Sequence, residues 1–111
     1  MTNYKFGDIV LIDFIQSNGE RKRRPALVIL DIGDLDIVLA PITTKERNSD
    51  GDHKLKNWSE SGLLKGSWVR LAKISCLDKN DITRRLGRLT DYDKEKIISL
   101  WKKLYKFSLK S

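Results

Sequence analysis

Apolar residues along the chain gather in short bursts separated by polar, glycine-bearing stretches, the spacing of a strand-rich protein. Residues 9–14 (IVLIDF) read as a first strand with little alternation. Residues 16–22 (QSNGERK) are polar and predict a hairpin loop longer than the tight two-residue type. Residues 26–30 (ALVIL) are branched aliphatics, which suits a strand buried on both faces. Pro25 cannot donate to a ladder, so it is expected at that strand's first position, with Arg24 pushed into extended geometry before it. A turn at 31–34 (DIGD) leads to a third strand over 36–41, closed by Pro41. The connections are short, so the three strands predict an antiparallel meander.

The second half is more mixed. Residues 45–52 (KERNSDGD) read as a mobile loop and 53–56 as a short edge strand whose lysines discourage aggregation. A turn around Trp58 precedes the longest strand candidate, 67–77. Period-two spacing would put Trp68, Arg70, Ala72, Ile74 and Cys76 on one face of it. Arg70 on that apolar face must be paired in a crevice or aimed at a ligand. Residues 81–89 predict a short last strand with basic outer positions. Thr90 is then a helix cap, with Asp93 in a box-like arrangement and a helix over about 91–107. Ile97, Trp101, Leu104 and Tyr105 form one apolar stripe, expected to pack on the core.

Composition narrows the partner. A chain of 111 residues is expected to be a single domain over 1–111 with a modest core. Lys and Arg number 22 against 15 acids, a net charge of +7 that favours a polyanion, nucleic acid above all. A lone cysteine, Cys76, rules out an internal disulfide and reads as a buried structural thiol in a reducing, cytoplasmic setting. No apolar run reaches the length of a membrane span and residues 1–5 do not read as a signal peptide, so a soluble intracellular protein with no membrane partner is expected. His53, the single histidine, reads as a surface residue in a polar loop, and no metal site is expected. The nucleotide-cradling glycine patterns are missing, so no cofactor is expected either.

Three side chains stand out: Arg24 at a strand start, Thr43 at a strand end, and Arg70 within the long strand, with Arg21, Lys22, Arg23 and Lys45 around them. A run of four cations such as 21–24 is by itself ordinary loop charge or a generic nucleic-acid patch. Taken with Thr43 and Arg70, it suits phosphodiester chemistry without metal. Arginine forks bind phosphoryl oxygens and stabilise added negative charge. RNA supplies its own nucleophile in the 2′-OH, leaving positioning and charge to the protein.

The motifs Gly7-Asp8-Ile-Val-Leu, Arg24-Pro-Ala-Leu-Val-Ile, Ala40-Pro-Ile-Thr43, Ser67-Trp-Val-Arg-Leu with Leu77-Asp-Lys, and Leu86-Gly-Arg-Leu occur in this order across nearly the whole chain. Together they resemble the MazF/PemK family of toxin endoribonucleases. The resemblance implies an α+β, mainly β fold: a small SH3-like, partly open β-barrel with a C-terminal helix. It implies a metal-independent, sequence-selective endoribonuclease that cleaves single-stranded mRNA, acts as a toxin and is a homodimer. A cognate acidic antitoxin is implied as partner, with operator DNA bound only through the toxin–antitoxin complex. It also implies that Arg24 and Thr43 form the cleavage site, with Arg70 beside them and Arg21, Lys22, Arg23 and Lys45 binding RNA. Some members carry Arg-x-Asp on the long strand; this chain has Arg70 but Ala72 where that aspartate would stand. Two other readings share the composition. A non-catalytic SH3-like nucleic-acid-binding module needs no role for Thr43, and a protein-interaction adaptor would display Trp58 and Trp68.

Overall fold

The computed structural model, described over residues 3–110, contains seven strands and one helix. The strands are β1 (Asp8–Ile15), β2 (Arg21–Leu30), β3 (Asp36–Thr43), β4 (Asp52–Lys54), β5 (Trp68–Arg70), β6 (Ser75–Asp78) and β7 (Ile82–Arg88). The helix is α1 (Asp91–Lys110). Strand order is β4-β5-β3-β2-β1-β7, with β6 also paired to β3, and every pairing is antiparallel. β1, β2 and β3 form the expected meander. β4 and β7 end the path unpaired with each other among the described residues, so the barrel is open.

β2 begins five residues earlier than its apolar core, at Arg21. Arg21 to Arg24 are all exposed, because in this arm β2 pairs with β1 alone and β3 is no longer alongside. Pro25 therefore lies within the strand and not at its start. The position is tolerated for a reason the register supplies. Gln16 N donates to Glu20 O at 2.7 Å, which makes that pair hydrogen-bonded. Counting down the alternating ladder, Leu11 and Pro25 form a non-bonded pair, so the proline nitrogen faces β3. The β2–β3 ladder accordingly begins at Ala26–Pro41. Freed from β2, the end of β3 pairs with β5 through Ile42–Val69 and Thr43–Trp68.

The expected long strand over 67–77 is broken in two. β3 pairs with β5 at its end and with β6 over Asp36–Leu39, and Pro41 lies between the two ladders. The two ladders on β3 differ in register by three residues, and a 3-10 turn (Leu71–Lys73) with Leu71 buried makes the corner between them. The corner resets the alternation, so Cys76 is exposed and not the buried thiol expected.

Apolar clusters lie on both faces of the sheet. One joins Ile9, Leu27, Ile42, Val69 and Leu71 to Ile97 of α1. The other joins Val10, Ile12, Ala26, Val28, Ile37 and Leu39, with Tyr4, Leu77 and Ile82 packed against it. Trp58 packs on the first cluster and Trp68 is half-buried, which argues against an adaptor displaying them. On α1, Ile97, Leu100 and Leu104 face the core, whereas Trp101 and Tyr105 are exposed at 41% and 57%. The apolar stripe is thus rotated by about one residue from the expected one, and the helix runs on to Lys110, past the barrel. None of the described helices is long and apolar enough to cross a membrane.

The helix start also departs from a capping box. Thr90 Oγ1 accepts from Asn57 Nδ2 at 2.8 Å. The Asp93 carboxylate, fully buried, accepts from the backbone N–H groups of Lys56 and Asn57 at 3.0 and 2.9 Å. His53 Nε2 lies 3.0 Å from the same carboxylate, so this histidine is half-buried and paired, not a surface residue in a loop. Burial alone would raise the Asp93 pKa, but the bonds from Lys56, His53 and Asn57 hold it below the ordinary carboxylate value.

Candidate nucleic-acid interface

Arg24, Thr43 and Arg70 come from three strands and line one groove of about 420 Å³. Alternation along β2 puts Arg24 on the face of Ala26 and Val28, at the edge of the second apolar cluster. Thr43 ends β3 and Arg70 ends β5. Ile12, Ala26, Leu39 and Leu77 give the groove apolar lining, and Arg47, Lys73 and Ser75 add polar groups. A second pocket of about 290 Å³ shares Arg24, Thr43 and Arg47 with it and adds Thr44, Lys45 and Ser67. No acidic residue is among those lining either pocket. The charged residues lining the two pockets, Arg24, Lys45, Arg47, Arg70 and Lys73, are all cationic, which suits a phosphate ligand.

Each side chain is prepared by its neighbours. Thr43 Oγ1 accepts the Lys45 backbone N–H at 3.2 Å, which leaves its own proton available as a donor. Arg70 Nε donates to Asp52 Oδ1 at 3.2 Å, leaving its two terminal nitrogens for the groove. Asp52 stands directly across the β4–β5 ladder from Arg70, and its side chain is 3% exposed. Ser49 also donates to Asp52 Oδ2, from Oγ at 2.7 Å and from N at 3.2 Å. Burial pushes the Asp52 pKa up, but the Ser49 and Arg70 bonds outweigh it and the carboxyl stays below its ordinary value. A low-pKa carboxylate with its oxygens occupied anchors a guanidinium well and accepts protons poorly.

The remaining sequence candidates divide. Lys45 lines the smaller pocket. Lys22 shares the Arg24 face of β2, two residues further along the arm. Arg21 and Arg23 point to the other face, where Arg21 pairs with Asp13 at 2.9 Å, so these two are not gathered at the groove. Arg47, Lys73, Ser75 and Asp52 belong to the site and were not singled out from sequence. Arg47 and Asp52 lie in or beside the polar stretch read as a mobile loop. Only the cross-strand register, which no local pattern encodes, brings Asp52 to Arg70. Among the described residues no cluster of three His, Cys, Asp or Glu side chains could hold a metal ion.

The molecule is thus of the small open-barrel class, antiparallel throughout, with a groove lined by three arginines and a threonine. Residues 5–104 match the model for PemK-like, MazF-like toxins of type II toxin–antitoxin systems, and the chain belongs to that family. No curated protein matches the sequence. Among solved structures, the fold is similar to an endoribonuclease in complex with its cognate antitoxin from a mycobacterial species. The TM-score is 0.72 at 20% identity, over 87% of this chain and 89% of that one. A second mycobacterial endoribonuclease gives 0.71 at 20% identity, over 90% and 88%. The Mycobacterium tuberculosis toxin MazF-mt6 gives 0.70 at 18% identity, over 87% and 96%.

Proposed function

We propose that this protein is a toxin endoribonuclease that cuts single-stranded mRNA at selected sequences in the cytoplasm without a metal ion. The observation that carries the reading is the convergence of Arg24, Thr43 and Arg70, from three strands, on one cationic groove. Arg24 and the Thr43 hydroxyl hold the non-bridging oxygens of the scissile phosphate, and Arg70 stabilises the charge that builds on them. The neighbouring 2′-OH attacks phosphorus, the bond to the 5′ oxygen breaks, and the attacking group's proton is lost as the leaving oxygen gains one. The products are a 2′,3′-cyclic phosphate and a 5′-hydroxyl. Asp52 is a positioning residue for Arg70, with its low pKa making it a poor general base. Lys22 and Lys45 bind flanking RNA, while Arg21 and Arg23 add only long-range attraction.

The protein acts as a homodimer, and the exposed apolar residues of α1 give it surface for an interface. Its +7 charge suits an acidic antitoxin that folds over the groove, with operator DNA bound only by that complex. The test is incubation of pure protein with RNA in EDTA, followed by analysis of the termini. Cyclic phosphate and 5′-hydroxyl ends are expected. RNA that is bound but left intact would favour the non-catalytic module.

A further inference from the structure

Arg47 lines both pockets, at the wall between them. Its Nε is buried and has no hydrogen-bond partner among the described residues. A buried donor on a charged group is costly when unanswered, and such atoms are scarce in folded proteins. A ligand that brings an oxygen acceptor to this point removes the penalty. The chemistry around Arg47 says what kind of ligand. In the smaller pocket, Thr44 and Lys45 supply donors and no carboxylate is present. Ser67 Oγ donates to Lys65 O at 2.8 Å, so it forms wall rather than a donor to the ligand. The Thr43–Lys45 bond fixes the first residues after β3, which gives Lys45 a defined place.

We propose that Thr44, Lys45 and Arg47 form a second phosphate subsite, which takes the phosphodiester adjacent to the scissile one. The assignment rests on the reading that Arg24 and Thr43 hold the scissile phosphate. Those two residues line both pockets, so a strand leaving the first subsite enters the second without crossing other surface. A carboxylate from an acidic protein segment would also satisfy Arg47 Nε, but the continuity with Arg24 and Thr43 favours the RNA backbone. A substrate with a single phosphate fills only half the site, so a dinucleoside monophosphate is a poor substrate and a longer oligonucleotide a good one.

The test uses short RNAs made uncleavable by a 2′-O-methyl group at the scissile nucleotide, with each phosphate in turn replaced by a neutral methylphosphonate. Fluorescence anisotropy reads the affinity for wild type, Arg47→Ala and Arg47→Lys, each checked for folding by circular dichroism. In wild type, neutralising one phosphate adjacent to the scissile position weakens binding by about tenfold. Arg47→Ala binds the unmodified RNA about tenfold more weakly, and the same replacement then costs only about two- to threefold, the share left to Thr44 and Lys45. Arg47→Lys falls between them, because it keeps the charge and loses the fork. An undiminished penalty in Arg47→Ala overturns the subsite, as does unchanged affinity of that variant for RNA. Loss of affinity confined to an acidic antitoxin peptide overturns it too, in favour of the protein ligand. If Arg47→Ala does not fold, the same comparison is made with Arg47→Lys. Because every phosphate is scanned in turn, the Arg47-dependent position emerges from binding alone, so a wild-type protein that binds but does not cut refutes the nuclease reading while leaving the Arg47 phosphate contact legible.

Discussion

Asp52→Ala removes a side chain that touches no RNA in the proposed complex, yet it should slow cleavage. The Asp52–Arg70 bond is 3.2 Å long, with the carboxylate 3% exposed and the arginine side chain 25% exposed. Two unit charges about 4 Å apart at an effective dielectric near 20 attract by roughly 4 kcal/mol before desolvation is charged against them. The net value of a hydrogen bond to a charged group is smaller, about 1.5–3 kcal/mol. Water reaches Arg70, so the pair is worth about 1–2 kcal/mol. If that energy holds Arg70 in its working orientation, losing it slows the chemical step about 5–30-fold. A displacement approaching 1 Å would bring the loss towards 10².

The assay is single-turnover cleavage at saturating enzyme, where weaker binding no longer matters, with melting temperature measured alongside. Arg70→Ala and the double variant complete a cycle. Because Asp52 acts through Arg70, the double variant should cleave no more slowly than Arg70→Ala alone. A folded Asp52→Ala enzyme that cleaves at the wild-type rate would refute the positioning role. So would a full Asp52 cost persisting without Arg70, which would mean the carboxylate acts on RNA or protons directly. The Ser49 bonds to Asp52 are lost as well, so the melting temperature should fall even if catalysis does not.

Arg24→Ala should lose on the order of 10²–10³ in the same single-turnover rate, and a wild-type rate would sink its catalytic assignment. Lys22→Ala should keep that rate and bind RNA more weakly, with the salt dependence of log K shallower by about 0.7. Asp93 has a lowered pKa, so its ionised form adds stability above the unfolded carboxylate value of about 3.9, and that contribution is lost as pH falls through the lower folded value. Asp93→Asn should therefore unfold at lower temperature than wild type at pH 7, with the gap closing in acid; a gap that widened below pH ~4 would contradict the assignment. Sedimentation should show a dimer at tens of micromolar, and a monomer there would remove the proposed assembly while leaving the fold intact.

Where the chain reports on itself locally, its fold is legible in the sequence. β1, the apolar half of β2, β3, β7 and the start of α1 each carry a run of branched aliphatics, a turn signal or a cap residue. The failures are places where a distant segment decides. Pro25 looks like a strand start until β1 is seen to pair with its other edge, and the 67–77 strand looks continuous until its two halves are seen to pair with β3 in different registers. Asp93 has the spacing of a capping box, but Lys56 and Asn57 offer it two backbone donors. The site divides along the same line: Arg24, Thr43 and Arg70 sit at strand positions readable one by one, whereas their anchors do not. Ala72 looks like a missing carboxylate beside Arg70. In three dimensions, a Cβ on Gly51 would collide with the Cβ of Ala72, and Leu71 N donates to Gly51 O at 2.8 Å. That close approach carries the next residue, Asp52, to its place opposite Arg70. The Asp52–Arg70 pairing is thus supported by two small residues just outside the ladder, Gly51 before β4 and Ala72 after β5. Enlarging Gly51 should on this argument displace Asp52 and reproduce much of the Asp52→Ala defect without touching a charge.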